Sequence, residues 1–264
     1  MTSMPEGRKK GSPRRRRTGR RRTAFTLVEL LVVVAIIGIL VAIVVPVVSK
    51  AIDRARQTDC MSNQRQFSMI LMTYRHDHED QLPKWLSTMH RNYDAPASIY
   101  LCRADRSGGA NGSKPDGVSE VGDDYSETDD TEFNAQRQTS GPDDADARIT
   151  RCSYMYEFSA AGCTWNYQSY LGATDAEIDR DGNSNSTSWA EAKYYQLYHG
   201  DVNHPDPYGE TFFPVVRCFY HYKSRIDYLG TNGVPTRGPM TINAAYSGNV
   251  FVGPVEWELL YRTE

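Results

Sequence analysis

From Thr23 to Ser49 the chain carries a single charge, the carboxylate of Glu29, in a run that is otherwise uncharged and mostly aliphatic. Leu30 to Val48 alone gives 19 consecutive residues without a charge, and a helix of about 20 residues crosses a hydrocarbon layer of about 30 Å. A secretory signal has a shorter apolar core, roughly 7–15 residues, followed by a small-residue cleavage site. Here the run continues directly into the helix-like sequence "SKAIDRARQ". The stretch therefore reads as a membrane-spanning helix. The cost of Glu29 needs an explanation: an unpaired carboxylate at the centre of a bilayer costs about 2.5–3.5 kcal/mol on insertion scales, and less near the interface.

The charge distribution orients this segment. Residues 1–24 hold ten Lys or Arg (Arg8, Lys9, Lys10, Arg14 to Arg17, Arg20 to Arg22) against one acid, Glu6, which leaves 20 basic and 32 acidic residues for the remainder. A basic run of this kind also suits a nucleic-acid arm. Its position immediately before an apolar span favours a topogenic signal that holds the N-terminus in the cytoplasm and sends residues after about 50 outward.

Residues 25 to about 80 read as one long helix, apolar all round at first and amphipathic later. Cys60, Gln64, Phe67, Leu71 and Tyr74 recur at spacings of four and three, which makes a stripe for packing. Pro46 is expected to kink the helix or loosen its hydrogen bonding, and Leu82-Pro83 to stop it. Residues 107–147 are acidic, rich in Gly and Ser and nearly free of aliphatics. Such a segment buries too little apolar surface to offset its ordering entropy and is expected to be an exposed, flexible loop. From Ile149 onward "ITRCSYMYEFSA", "TFFPVVRCFYHY" and "INAAYSGNVFVGPVEWELLY" carry β signal. The last is read as strand, Ser-Gly-Asn turn and strand, with Gly253-Pro254 breaking the run before a final strand. The simplest arrangement is α+β, a long helix packed on a small antiparallel sheet.

Chemistry-bearing residues are sparse. Five cysteines lie beyond the span (Cys60, Cys102, Cys152, Cys163, Cys218), where an extracytoplasmic location permits disulfides; their pairing cannot be read from sequence. The absence of a Cys-x-x-Cys pair argues against a structural zinc site. Asp179, Asp181, Asn183 and Asn185 alternate as calcium ligands do, although Ser184 stands where an EF-hand has glycine and Glu191 is one position late. These four residues are the candidate metal ligands, with a polar turn as the alternative. "HDHED" at 76–80 reads as a solvated helix end, and His199, His204 and His221 as ordinary surface histidines. No G-x-S-x-G, H-E-x-x-H or phosphate-cradling glycine loop is present, so no enzymatic role is expected.

The segment "RRTAFTLVELL" from Arg21 resembles the class III signal of type IV prepilins and type II secretion pseudopilins. The resemblance implies that prepilin peptidase cuts between Ala24 and Phe25, where the family usually has glycine before the cut, and that Phe25 becomes a methylated N-terminus. Glu29 then matches the family's hallmark glutamate, and Pro46 its helix-loosening proline. Glu29 would pair with the Phe25 amine of a neighbouring subunit, each charge offsetting the other's desolvation and fixing the axial stagger. Further on, "DCMSNQRQFSMILMTYRHDHEDQLP", "YLCRADRS" and "GNVFVGPVEWE" resemble large bacterial prepilin-like proteins whose heads carry a Cys-Pro-x-Asp element, although Arg103 replaces the proline here.

The implied organisation is a removable basic leader at 1–24, a transmembrane helix at 25–48, its amphipathic continuation at 49–80 and an extracytoplasmic pilin-like head at 81–264. The implied function is that of a pseudopilin or type IV pilin-like subunit of a periplasmic or surface filament, held before assembly as a single-pass protein of the bacterial cytoplasmic membrane. Its partners would be prepilin peptidase, other pilin or pseudopilin subunits and membrane lipid, with no nucleic acid. No cofactor is required, and calcium is the one candidate. The alternative is a membrane-anchored binding protein that uses the helix only as a tether.

Overall fold

The computed structural model describes residues 25–110, 112, 146, 148–163, 166–180, 182, 187–230 and 233–261. The expected leader and most of the expected 107–147 loop lie outside the described residues. The chain divides into two units, residues 1–49 and 50–264.

Helix α1 (Leu27–Asp77) runs through 51 residues. In the first unit every described residue is exposed, and most are aliphatic. Pro46 sits inside the uninterrupted helix; lacking an N–H, it leaves the Ala42 carbonyl without its helical donor. In the second unit Cys60, Gln64, Phe67, Ser68, Leu71 and Arg75 are buried, so the stripe read from the sequence is the packed face. The helix ends sooner than Leu82-Pro83 would stop it. Glu79 and Asp80 take left-handed φ values of 52° and 64°, and the Asp80 amide donates back to the Arg75 carbonyl at 2.9 Å. The Arg75 side chain fixes that turn by bonding the Asp80 carboxylate at 2.6 Å.

The sheet is antiparallel and five-stranded: β1 (Met155–Tyr156), β2 (Pro214–Cys218), β3 (Arg225–Leu229), β4 (Pro235–Ala245) and β5 (Val250–Pro254). Strand β4 is the spine. Its first half pairs with β3, from Pro235↔Leu229 to Pro239↔Arg225. Its second half pairs with β5 and with β2, placing Ile242 opposite both Val252 and Cys218. The β4–β5 connection is the expected Ser247-Gly248-Asn249 turn, with Gly248 at φ 87°, a value that suits a residue without Cβ. The architecture is α+β as expected, with the second half of α1 packed on this sheet.

Two expectations are corrected. The run after Gly253-Pro254 is a 3-10 helix, Trp257–Tyr261, and not a strand. It buries Trp257 edge-on against Phe213 at 4.7 Å and Tyr208 at 5.0 Å, contacts that a straight continuation of β5 would not make. The region after Ile149 is also less β-rich than its composition suggests. Of "ITRCSYMYEFSA" only Met155–Tyr156 pairs as strand, and the described residues between 167 and 199 include the helices α3 (Tyr167–Leu171), α4 (Asp175–Ile178) and α5 (Trp189–His199), which follow the short α2 (Thr88–Asn92). Helix α5 starts at a capping box in which Ser188 and Glu191 exchange side-chain and backbone bonds, satisfying donors that every helix start leaves open.

The core is aromatic. Phe67 from α1 meets Tyr100 and Tyr154 edge-on at 5.0 and 5.8 Å, which ties the helix to the head. Gln57 adds a polar link by donating to the Ser224 hydroxyl at 2.5 Å.

Candidate functional site

The first candidate site is the start of α1. Thr26 is the N-cap, and its hydroxyl accepts from the Glu29 amide at 3.2 Å. In return the Glu29 carboxylate accepts from the Thr26 amide at 2.9 Å and from its hydroxyl at 2.7 Å. This reciprocal capping box satisfies the first orphan donors of the helix, and a negative charge here also suits the positive end of the helix dipole. Glu29 is therefore held within its own chain by Thr26, a residue the sequence reading did not single out. The signal was available as Thr-x-x-Glu. Phe25 precedes the cap and is 71% exposed; Ala24 lies outside the described residues.

The calcium candidates are mostly out of view. Asp181, Asn183 and Asn185 lie outside the described residues. Asp179 follows α4 and accepts from the Gly182 amide at 2.8 Å. Glu191 closes the α5 capping box and also accepts from the Arg180 amide at 3.1 Å. At the end of α1, His76 is exposed and His78 stacks on Tyr74 at 3.8 Å, as a solvated helix end would.

The second candidate site is one the sequence reading argued against. Cys60, Cys102, Cys218 and His221 converge in the interior, with their four ligand-type atoms all within 4.8 Å of one another. Cys60 comes from the buried stripe of α1. Cys102 follows the 3-10 helix Ala97–Tyr100, Cys218 ends β2, and His221 lies in the turn beyond it. His221 is 5% exposed, so it is not a surface histidine. Its Nε2 lies 3.4 Å from the Cys102 sulfur. None of the five cysteines forms a disulfide.

The surroundings of the cluster are polar where the sulfurs need them to be. The Ala104 amide donates to the Cys102 sulfur at 3.4 Å, and the Tyr154 hydroxyl, which accepts from Asn63 Nδ2 at 3.0 Å, acts to lower the Cys60 thiol against the rise that burial causes. Hydrogen bonds from Cys218, Cys60 and His221 pull the Cys102 thiol far below the ordinary thiol range. Burial pushes Cys60 and Cys218 up. Asp105, the acid of the Cys-x-x-Asp element, shapes the loop by accepting from the Ser107 and Gly109 amides and the Ser153 hydroxyl at 2.7–2.8 Å. The local signal for the cluster was Cys218-x-x-His221, which a search for Cys-x-x-Cys passes over.

Comparison with known proteins bears on the first site. No curated protein and no solved structure matches the chain. Residues 19–45 match the model of the prokaryotic N-terminal methylation motif, a stretch that contains Ala24, Phe25, the Thr26–Glu29 cap and α1 as far as Val45. The chain thus carries the class III signal that marks type IV pilin-like and pseudopilin subunits.

Proposed function

We propose that this chain is a pseudopilin or type IV pilin-like filament subunit, processed by prepilin peptidase between Ala24 and Phe25, methylated on the Phe25 amine and assembled through α1 into a periplasmic or surface filament serving type II secretion or a pilus. One coincidence carries the reading. The methylation motif falls on a helix whose apolar residues are all exposed from Leu27 to Val48. An aliphatic surface of that length requires lipid before assembly and neighbouring helices after it. The Thr26–Glu29 cap supports the same reading: it keeps the carboxylate hydrogen-bonded in the isolated subunit, ready to exchange Thr26 for the amine of an adjacent Phe25.

The test is intact-mass and N-terminal peptide analysis of the protein from its native membranes, for the natural chain and for Glu29→Ala. A mature chain beginning at methylated Phe25 is expected in the natural protein. For Glu29→Ala, processing with loss of filament incorporation is expected. A protein that still carries residues 1–24 would overturn the proposal and leave a membrane-anchored binding protein.

A further inference from the structure

We propose that Cys60, Cys102, Cys218 and His221 form a closed site of three thiolates and one imidazole for a single structural zinc ion that fastens α1 to the head. The inference is independent of the proposed filament role.

The geometry fits the ion. Zinc–sulfur bonds of about 2.3 Å and zinc–nitrogen bonds of about 2.0–2.1 Å in a tetrahedron give ligand separations of roughly 3.8 Å between sulfurs and 3.6 Å between sulfur and nitrogen. The Cys102–His221 pair stands at 3.4 Å and no ligand atom is more than 4.8 Å from another, so the set closes on an ion by shifts of about 1 Å or less. All four residues are buried. Three sulfurs and one imidazole nitrogen converge on a point, which selects a thiophilic, tetrahedral ion over magnesium or calcium. Four protein ligands leave no open position for a substrate, so the role is structural.

A disulfide uses the same residues less well. It would pair two sulfurs and leave a third thiol and a buried imidazole beside it. The ion uses all four and holds the thiols as metal-bound thiolates. Binding replaces S–H bonds with sulfur–zinc bonds and releases those protons to solvent. Three thiolates on a divalent ion leave one net negative charge, and the Ala104 amide already donates to the Cys102 sulfur that shares it. Such outer bonds are the usual complement of a thiolate metal site. The ligands come from α1, the segment after the 3-10 helix, β2 and the turn beyond β2. One ion therefore joins segments up to 161 positions apart, and its binding free energy becomes folding free energy.

The test uses the full chain, purified in detergent and passed into metal-free buffer. Elemental analysis is expected to find one zinc per chain. Removing the zinc with a chelator under native conditions is expected to expose Cys60, Cys102 and Cys218 to maleimide, with the sites mapped by mass spectrometry. Cobalt added to the stripped chain is expected to give the thiolate charge-transfer and tetrahedral ligand-field bands. His221→Gln is expected to lose the ion and His221→Cys to keep it, because a set of four thiolates also holds zinc. If the variants do not fold, the cobalt spectrum and the thiol map of the natural chain decide. A folded natural chain that takes up neither zinc nor cobalt would overturn the proposal, as would a disulfide among the three cysteines in unreduced peptide maps.

Discussion

The Glu157 carboxylate and the Arg217 guanidinium meet at 3.0 Å in the interior, their side chains 2% and 1% exposed. Lys193 of α5 approaches the other carboxylate oxygen at 3.3 Å. Arg217 also donates to the Asn243 side chain at 3.3 Å and to the Val255 carbonyl. This ionic knot joins β2, β4, α5 and the segment after β1. Breaking a buried pair strands a charge and costs about 3–5 kcal/mol, whereas replacing both partners with apolar groups is often close to neutral. Arg217→Met is therefore expected to lower the unfolding free energy by about 3–5 kcal/mol. The double variant Glu157→Leu/Arg217→Met is expected to recover part of that loss. Denaturant titration of the detergent-purified chain measures both. A single variant as stable as the natural chain would show that Lys193 alone satisfies Glu157.

Acid should loosen the same knot. Burial pushes the Glu157 carboxyl up, but the charges and hydrogen bonds of Lys193 and Arg217 outweigh it and hold the group below its ordinary 4.5. A depressed carboxyl contributes stability that is fully present above the unfolded value and is lost as pH falls through the folded one. Glu258 lies near the same cations, but burial raises it, so it favours the folded state as pH falls. Melting temperatures are expected to drop below about pH 4.5 in the natural chain. The drop should be shallower in Glu157→Gln and steeper in Glu258→Gln. Parallel curves for all three proteins would remove the knot from the acid response.

Gly200 ends α5 at φ 79°. A Cβ placed there would run into the His204 and Asp206 carbonyl oxygens, the second at 2.5 Å. Both obstacles are backbone, and the Asp201–His204 bridge fixes the turn through bonds of 2.7 and 3.1 Å. Gly200→Ala combines left-handed strain with a collision that nothing flexible can relieve. A loss of about 3 kcal/mol or more is expected, read by thermal or chemical melts. A loss below about 1 kcal/mol, less than the strain of a side chain at such a φ, would mean the turn can move.

What the sequence made legible was periodic or contiguous. The span and the stripe Cys60, Gln64, Phe67, Leu71 stand at helical spacing, and the Ser247-Gly248-Asn249 turn lies between two β-branched runs. Helix α5 was obscured because its aromatics look like strand. Only the local pair Ser188 and Glu191, with Gly200 beyond the end, gives it away. Trp257 turns into the core because Tyr208 and Phe213 are there to receive it, and that is a tertiary fact. The cysteine–histidine cluster is the extreme case. Cys218 and His221 are close in sequence, but Cys60 and Cys102 reach them only through the packing of α1 and the loop before Asp105.

The Tyr154 hydroxyl offers a finer test of that cluster. Tyr154 is fully buried and its ring packs edge-on against Phe67; its hydroxyl accepts from Asn63 at 3.0 Å and acts to lower the Cys60 thiol. Tyr154→Phe keeps the ring and removes the hydroxyl, and with it the bond from Asn63 and the influence on the Cys60 sulfur. Outer partners of metal ligands typically contribute 10–100-fold in affinity. With zinc at the cluster, competition against a chelator of known strength is expected to show weakening of about tenfold or more. Far-UV circular dichroism and the melting temperature should change little, because the ring that packs on Phe67 is kept. Unchanged zinc affinity would assign the hydroxyl to Asn63 alone and leave the Ala104 amide as the sulfur's outer support.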